Sequence, residues 1–408
     1  MIEAVPLVLI LVGLTAYVVL GGADFGAGLW QLLAGRGPGA ERIREHAHRS
    51  MAPVWEANHV WLIFVLTVLW TSYPEVFGSV ASTLSLPLAA AGLGIVARGA
   101  AYALRAGARD VREASRIDLI FAASSVLTPF ALGCAVGAVA AGRVPVGNAA
   151  GDLLTSWTGA LSLVLGALAV ATSAHLAAVF LAADAARRGE RALVDAFRAR
   201  ALAAGIAAGA LAGAALAAVR ADAPRLFDAL TSSPAVACVA GSAAAGLATL
   251  ALVAARRFEP ARYLAAAAVG AVVAGWAVGQ WPVVLPGLTV EQAAAPRDTL
   301  VAVIVAIAAG AIVVLPALGA LLRLTLAGRL VADAPDPAIA AGAGVEAGSP
   351  RAPALAPRGA VAGLVAGFGL LTVADAGWAH AVGVVSLFAF VACGAASIVP
   401  GLVAGRAP

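Results

Sequence analysis

Apolar residues run along this chain in long blocks, with none of the strict alternation of a half-buried strand. Blocks of about twenty residues or more, nearly free of charge, fall at 5–30, 54–73, 76–104, 117–140, 157–183, 200–219, 235–255, 263–282 and 299–324. A helix needs about 20 apolar residues to cross the hydrocarbon core of a bilayer, so the pattern predicts nine transmembrane helices. Arg-rich or Pro/Gly-rich breaks separate them. The stretch 327–358, rich in Ala, Pro and Gly, predicts a flexible loop. From Gly359 to Val403 the chain is apolar again, with a break at Asp375–His380. That predicts two short helices joined by a hairpin, or one long helix with a re-entrant part. The fold class is therefore all-α, a polytopic transmembrane helix bundle. Residues 1–326 form the bundle, 327–358 the loop, and 359–408 additional C-terminal membrane segments.

The first block, Val5 to Trp30, has no basic start and no small-residue cleavage site. It reads as a retained span and not a signal peptide. Orientation follows from arginine, because cytoplasmic loops carry the excess of basic residues. With the N-terminus outside, the inner loops hold Arg36, Arg42, Arg44 and Arg49, then Arg98 to Arg116, Arg187 to Arg200, Arg256 to Arg262, and Arg323 to Arg358. The outer loops hold only Arg143, Arg220, Arg225 and Arg297. The bias alternates loop after loop, as a nine-span count requires. A multi-pass protein of the plasma (inner) membrane is expected.

Composition agrees. Hydrophobic residues make up 62% of the chain and charged residues 12%, against about 25% charged in soluble domains, and the mean hydropathy is +0.96. A soluble enzyme is excluded, since water would face too much apolar surface. All 26 basic residues are Arg, which reads as a compositional bias. The net charge of +4 is small and scattered, which excludes nucleic acid as a partner. Cys134, Cys238 and Cys393 lie in apolar stretches without metal or disulfide spacing and read as small buried residues.

Against this background, polar residues inside the spans need a reason, because a charge there costs about 2.5–3.5 kcal/mol on insertion scales. Asp24 lies on a stripe of Gly13, Tyr17, Gly21, Asp24 and Gly28, spaced by three and four. Small residues on one helix face let another helix approach, with Asp24 turned inward; the alternative is an Asp at a helix end reaching water. Span 2 opens with Trp55-Glu56-Ala57-Asn58-His59-Val60-Trp61. Glu56 and His59 share a face, and a carboxylate beside an imidazole can relay protons. Interfacial anchoring is the alternative for Trp55, Glu56, His59 and Trp61, though a buried Asn58 implies a specific hydrogen bond. Arg98 lies roughly 10 Å deeper than the Arg105–Arg109 flank at 1.5 Å per residue, so it either snorkels or meets an acid. His175, beside Thr172 and Ser173, reads as a packing residue or a ligand. With two Met residues in all, Met1 and Met51, a His/Met haem pair has little to draw on. With the orientation above, Asp24, Glu56, Arg98 and His175 all fall in the cytoplasmic half. Glu56 would stand at the mouth of an inward-opening polar cluster, with an Asp24–Arg98 pair further in.

The same residues carry a resemblance. The run from Tyr17 through Gly21-Gly22-Ala23-Asp24-Phe25-Gly26 to Leu29 resembles the first-helix signature of subunit II of the cytochrome bd quinol oxidases. Pro53-Val54-Trp55-Glu56-Ala57-Asn58-His59-Val60-Trp61, followed by Tyr73-Pro74, resembles the second-helix signature. Looser echoes are Arg98 to Tyr102, Ser156-Trp157-Thr158-Gly159 with the helix to His175, and Gly275-Trp276 through Trp281-Pro282 with Leu285-Pro286. The resemblance runs from about residue 1 to 325. It implies one subunit of a heterodimeric, membrane-bound terminal oxidase. That oxidase takes electrons from quinol on the outer side and reduces O₂ to water with protons from inside. It is electrogenic without being a redox-driven pump. Haem b and haem d are expected in the partner subunit I and none on this chain, with a structural quinone as a possible further cofactor. The resemblance implies that Glu56 lines a proton path and that Asp24 is a buried acid. Gly21 departs from the family, which often carries an acid there. The competing readings are a secondary transporter with an intramembrane Asp24/Glu56/Arg98 site, against which no internal repeat is visible, and a non-catalytic scaffold.

Overall fold

The computed structural model describes residues 2–35, 37–51, 55–105, 111–232 and 234–326, with isolated helical residues between 362 and 393. Within these ranges some side chains, those of Trp55 and Glu56 among them, lie outside the description. Two compact units divide the chain, Met1–Ala327 and Gly328–Pro408.

The first unit is helical almost throughout. In order it contains α1 (Val5–Leu32), α2 (Pro38–Met51), α3 (Trp55–Ser72), α4 (Pro74–Thr83), α5 (Ser85–Arg105), α6 (Val111–Ala140), α7 (Ala160–Arg187), α8 (Arg191–Asp222), α9 (Pro224–Ser232), α10 (Ala235–Ala254) and α11 (Phe258–Gln280). A two-stranded hairpin, β1 (Val283–Leu285) and β2 (Leu288–Thr289), leads through α12 (Val290–Ala293) into α13 (Arg297–Leu326). Helices suit lipid because they satisfy their backbone polar groups internally.

Each predicted block coincides with a helix, but the count differs. Among the described residues seven helices are long and apolar enough to span a membrane, and the bent pair α4–α5 raises the number to eight. The remaining block is α3, 18 residues long, or about 27 Å at 1.5 Å per residue; its described apolar part, Asn58–Ser72, is shorter still. The block at 76–104 is not one straight helix. It bends by 84° between Thr83 and Ser85. Pro87 supplies a reason, since it lacks the N–H that a continuous helix would need there, yet is tolerated in the first turn of α5.

Contacts gather the connections at two ends. At one end the Tyr73 hydroxyl donates to the Glu3 carbonyl, Ala295 N–H donates to the Ser72 carbonyl (2.8 Å), and Arg143 pairs with Asp222 (3.7 Å). At the other, Arg42 meets Glu190 (3.9 Å), Arg187 meets Glu259 (2.5 Å), and His48 stacks on Tyr102. The second end is the arginine-rich one.

Helix α1 is the hub, packed on α7, α3 and α6. Its predicted stripe is buried at all five positions, but it serves several neighbours. Gly13 admits Phe64 and Val65 of α3, and Gly28 admits Ser125 of α6. The tightest approach lies on an adjacent face, where a Cβ on Gly26 would collide with the Ser173 backbone and sit 2.7 Å from Ala177 Cβ of α7. Helix α7 answers with small residues: Ala174, Ala177, Ala178 and Ala182 are all buried. Such close backbones maximise van der Waals contact where lipid removes the hydrophobic drive between helices.

Two connections read as loops turn out to be structured. Helix α2 buries Ala40, Ile43 and Ala47 at helical spacing and leaves its arginines outside. The hairpin turns at Pro286–Gly287, where Gly287 takes the left-handed φ of +79° that only glycine adopts cheaply. Thr289 then starts α12 with a reciprocal capping box to Gln292.

In the second unit the described residues are helical, and Ser386 Oγ donates to the Val382 carbonyl (2.8 Å). The predicted loop 327–358 lies outside the described residues, as does most of the predicted helix pair.

Candidate functional site

The costliest group in the bundle is Arg98, a cation on α5 that is 1% exposed. Most contacts around it offset that burial, although its Nε has no hydrogen-bond partner among the described residues. Its Nη2 donates to Asp24 Oδ1 at 2.6 Å and to the Asp24 carbonyl at 2.9 Å. Its Nη1 donates to Ser125 Oγ of α6, and Ser125 in turn donates to the Phe121 carbonyl (2.5 Å). The guanidinium lies 4.1 Å from the ring centroid of Phe121 and 5.2 Å from that of Phe25. Cation–π attraction strengthens with desolvation, to about 2 kcal/mol per ring.

Asp24 is equally buried, also at 1%. Two charges out of water are stable only as a close, well-bonded pair. The pair joins α1 to α5, and Ser125 brings in α6. Gly28, one turn beyond Asp24, makes the room: a Cβ there would lie 2.8 Å from Arg98 Nη1 and 2.6 Å from Ser125 Cβ. Of the two readings of Arg98, snorkelling and pairing, the geometry is the second.

Polar groups continue from the pair along the α1–α3 contact. Asn58 is fully buried, and its Nδ2 donates to the Leu20 carbonyl at 3.2 Å. His59 presents its ring between Tyr17 and Phe25, with edge contacts at 6.4 and 6.3 Å. Three oxygens in this zone are buried without a hydrogen-bond partner among the described residues: Asp24 Oδ2, Tyr17 Oη and Asn58 Oδ1. Buried polar atoms normally have partners, so these mark where a polar guest would be stabilised.

The remaining sequence candidates fall elsewhere. Trp61 packs edge-on against Phe64 of its own helix. His175 points to α8, with Nδ1 2.9 Å from the Ala201 carbonyl and its ring against Gly205, so it does not join the pair. The side chains of Trp55 and Glu56 lie outside the described residues, although their backbone opens α3 just before Asn58.

Sequence reasoning missed Ser125, Phe121 and Phe25 as partners of the cation. Ser124, Ser125 and Thr128, clustered in an otherwise apolar helix, were the available signal. It also missed a second cluster at the arginine-rich end. There Asp184 accepts from Ser50 (2.6 Å), Arg187 (3.0 Å) and Arg188 (3.1 Å), and fully buried His46 lies beside it at 3.9 Å. Among the described residues no three His, Cys, Asp or Glu side chains come together as a metal site.

Comparison with known proteins gives this geometry a setting. A family model described as cytochrome bd terminal oxidase subunit II matches residues 2–325. Cytochrome bd ubiquinol oxidase subunit 2 of Bacillus subtilis (strain 168) is 25% identical over 126 residues. That match spans 31% of this chain and 36% of the relative's length, about a third of it. The fold is also similar to a chain of the bd oxidase from Geobacillus thermodenitrificans, with a TM-score of 0.64 and 23% identity. The likeness covers 80% of this chain and 98% of that one.

Proposed function

The chain belongs to the cytochrome bd terminal oxidase subunit II family, and from that premise we propose that it is the second subunit of a quinol:O₂ oxidoreductase. In this reading it crosses the membrane nine times with its N-terminus outside. It pairs with a subunit I that carries haem b and haem d, which supply the redox chemistry. This chain supports that subunit and conducts protons toward it from the cytoplasm. Each O₂ reduced to two waters consumes four protons. Drawing them from inside while quinol releases its protons outside makes turnover electrogenic without a pump.

The observation that carries the proton role is the buried Asp24–Arg98 pair with its neighbouring orphan oxygens. The pair holds a fixed charge centre inside the bundle at a position lipid would penalise. Asp24 Oδ2, Tyr17 Oη and Asn58 Oδ1 give bridging water places to bind, and buried water typically makes about three hydrogen bonds to such groups. In the proposed path Glu56 captures protons at the inner mouth of α3. Asn58 and His59 extend the polar file toward Asp24. Arg98 keeps Asp24 in place; Trp61, packed on Phe64, and His175, turned to α8, have no direct part. A structural quinone is not assigned to any residue of this chain. No observation favours the transporter reading.

The test is oxygen uptake driven by quinol in the purified complex, with haem spectra to verify assembly. Glu56→Gln should lower turnover by about 10²-fold or more, the scale of a lost acid–base group, while the haem bands stay in place. Unchanged turnover in Glu56→Gln would overturn the proton-entry role.

A further inference from the structure

At the arginine-rich end, the last turn of α7 and the turn between α10 and α11 line an open cavity of about 520 Å³. Arg187, Arg256, Arg257 and Glu259 line it, over a floor that includes Ala183 and Ala186. Three guanidiniums against one carboxylate leave the lining formally positive by two charges. Neighbouring acids restrain the cations without exhausting them. Arg187 holds Glu259 (2.5 Å) and Asp184 (3.0 Å), and Arg256 holds Asp195 (2.6 Å). A guanidinium has five N–H donors, so donors remain on each. Glu259, the one acid of the lining, is already neutralised by Arg187 and by Arg262 (3.4 Å). Arg257 has no acidic partner among the described residues.

The backbone adds a second observation. Arg256 sits just past the end of α10 with φ of +59°, the left-handed position where a helix ordinarily ends in glycine. A side chain is disfavoured there, yet an arginine occupies it beside two further arginines. The level of the cavity points to the ligand. It opens where α7 ends and α11 begins, and Tyr263, on the second turn of α11, is 75% exposed, as an aromatic at the headgroup boundary would be. Basic pockets between transmembrane helices on the cytoplasmic side recognise anionic headgroups.

We infer that this cavity is a receptor for the phosphate of an anionic phospholipid headgroup, held by Arg187, Arg256 and Arg257. The site needs the chain to lie in a membrane and needs none of the proposed proton chemistry.

The test uses the assembled oxidase complex, purified in mild detergent and mixed with phosphatidylglycerol or phosphatidylcholine, with bound lipid counted by native mass spectrometry. Phosphatidylglycerol should be retained in preference to phosphatidylcholine. Each arginine removed in Arg257→Gln and Arg256→Gln/Arg257→Gln should weaken that retention about fivefold, the effect of one basic residue near an anionic surface. Arg256→Gly keeps the turn's backbone comfortable and should lose lipid without losing thermal stability. Equal phosphatidylglycerol retention by the parent and the double variant would overturn the site. So would full displacement of the lipid by millimolar inorganic phosphate, which would mark a free-anion site. Because lipid counts are read without turnover, failure here is distinct from failure of the oxidase reading.

Discussion

A guanidinium stays charged in any protein setting, whereas a carboxyl group also has a neutral form. That asymmetry makes the pair's two single variants unequal in a predictable direction. With charge centres about 4 Å apart and an effective dielectric near 20, their attraction is worth about 4 kcal/mol, and removing one partner of a buried pair typically costs about 3–5 kcal/mol. In Asp24→Asn the guanidinium keeps Ser125, Phe121 and the residue-24 carbonyl but loses its one counter-charge at hydrogen-bond distance among the described residues. In Arg98→Met the apolar side chain fills part of the space against Phe121, and the group left behind is a carboxyl, which unlike a guanidinium has a neutral form. Asp24→Asn should therefore be the more damaging variant. The double variant, with both charges gone, should be less damaged than the two single losses combined, with a coupling of about 4 kcal/mol. Thermal unfolding of the purified complex, followed by tryptophan fluorescence and by haem absorbance, reads this out. Single-variant midpoints should fall on the order of 5 °C or more, and the double variant should recover part of that. An additive double variant, or Arg98→Met worse than Asp24→Asn, would refute the reasoning.

Two further expectations concern packing and the opposite end. Gly26→Ala places a methyl against the Ser173 backbone and should destabilise the α1–α7 contact by about 1–3 kcal/mol or more; a complex recovered in normal yield with an unshifted melting midpoint would contradict so close an approach of those helices. Tyr73 is 1% exposed, and its hydroxyl accepts from Leu7 N–H (3.1 Å), one of the first-turn donors of α1 that has no intrahelical partner. Tyr73→Phe should cost about 1–3 kcal/mol, confined to that end. Amide exchange at residues 5–8 should rise several-fold while the haem spectrum stays the same, and unchanged protection would show that the hydroxyl does not cap the helix.

The long apolar blocks left little freedom in architecture. A lipid solvent obliges each to be helical, so composition and block length alone placed the long helices between α1 and α13, though not the bend inside 76–104 or the shortness of α3. The arginine alternation likewise sorted the connections into two ends, and the ion pairs gather them in that way. Polar residues in apolar blocks flagged Asp24 and Arg98, because their burial in hydrocarbon is too costly to be incidental.

Other features depended on distances along no single helix. That Asp24 meets Arg98 across 74 residues, with Phe121 and Ser125 completing the enclosure, is a property of how α1, α5 and α6 cross. Serine and phenylalanine are ordinary in membrane helices and carry no signal until a cation lies against them. His175 shows the converse: a conspicuous residue in sequence, it is turned toward α8 by the side of α7 it occupies, away from Ser173, which faces α1. The 84° bend at Thr83–Ser85, the amphipathic α2 and the hairpin at Pro286–Gly287 were lost for a related reason. Each is a short element whose stability comes from neighbours and not from its own apolar length. The sequence by itself determined a helical membrane bundle, its two-ended polarity and its suspect charges, since these follow from the energy of each segment in lipid. Only the tertiary structure decided which charges pair, which glycines admit which helix and where the arginines line an open cavity, since these follow from the way the segments pack.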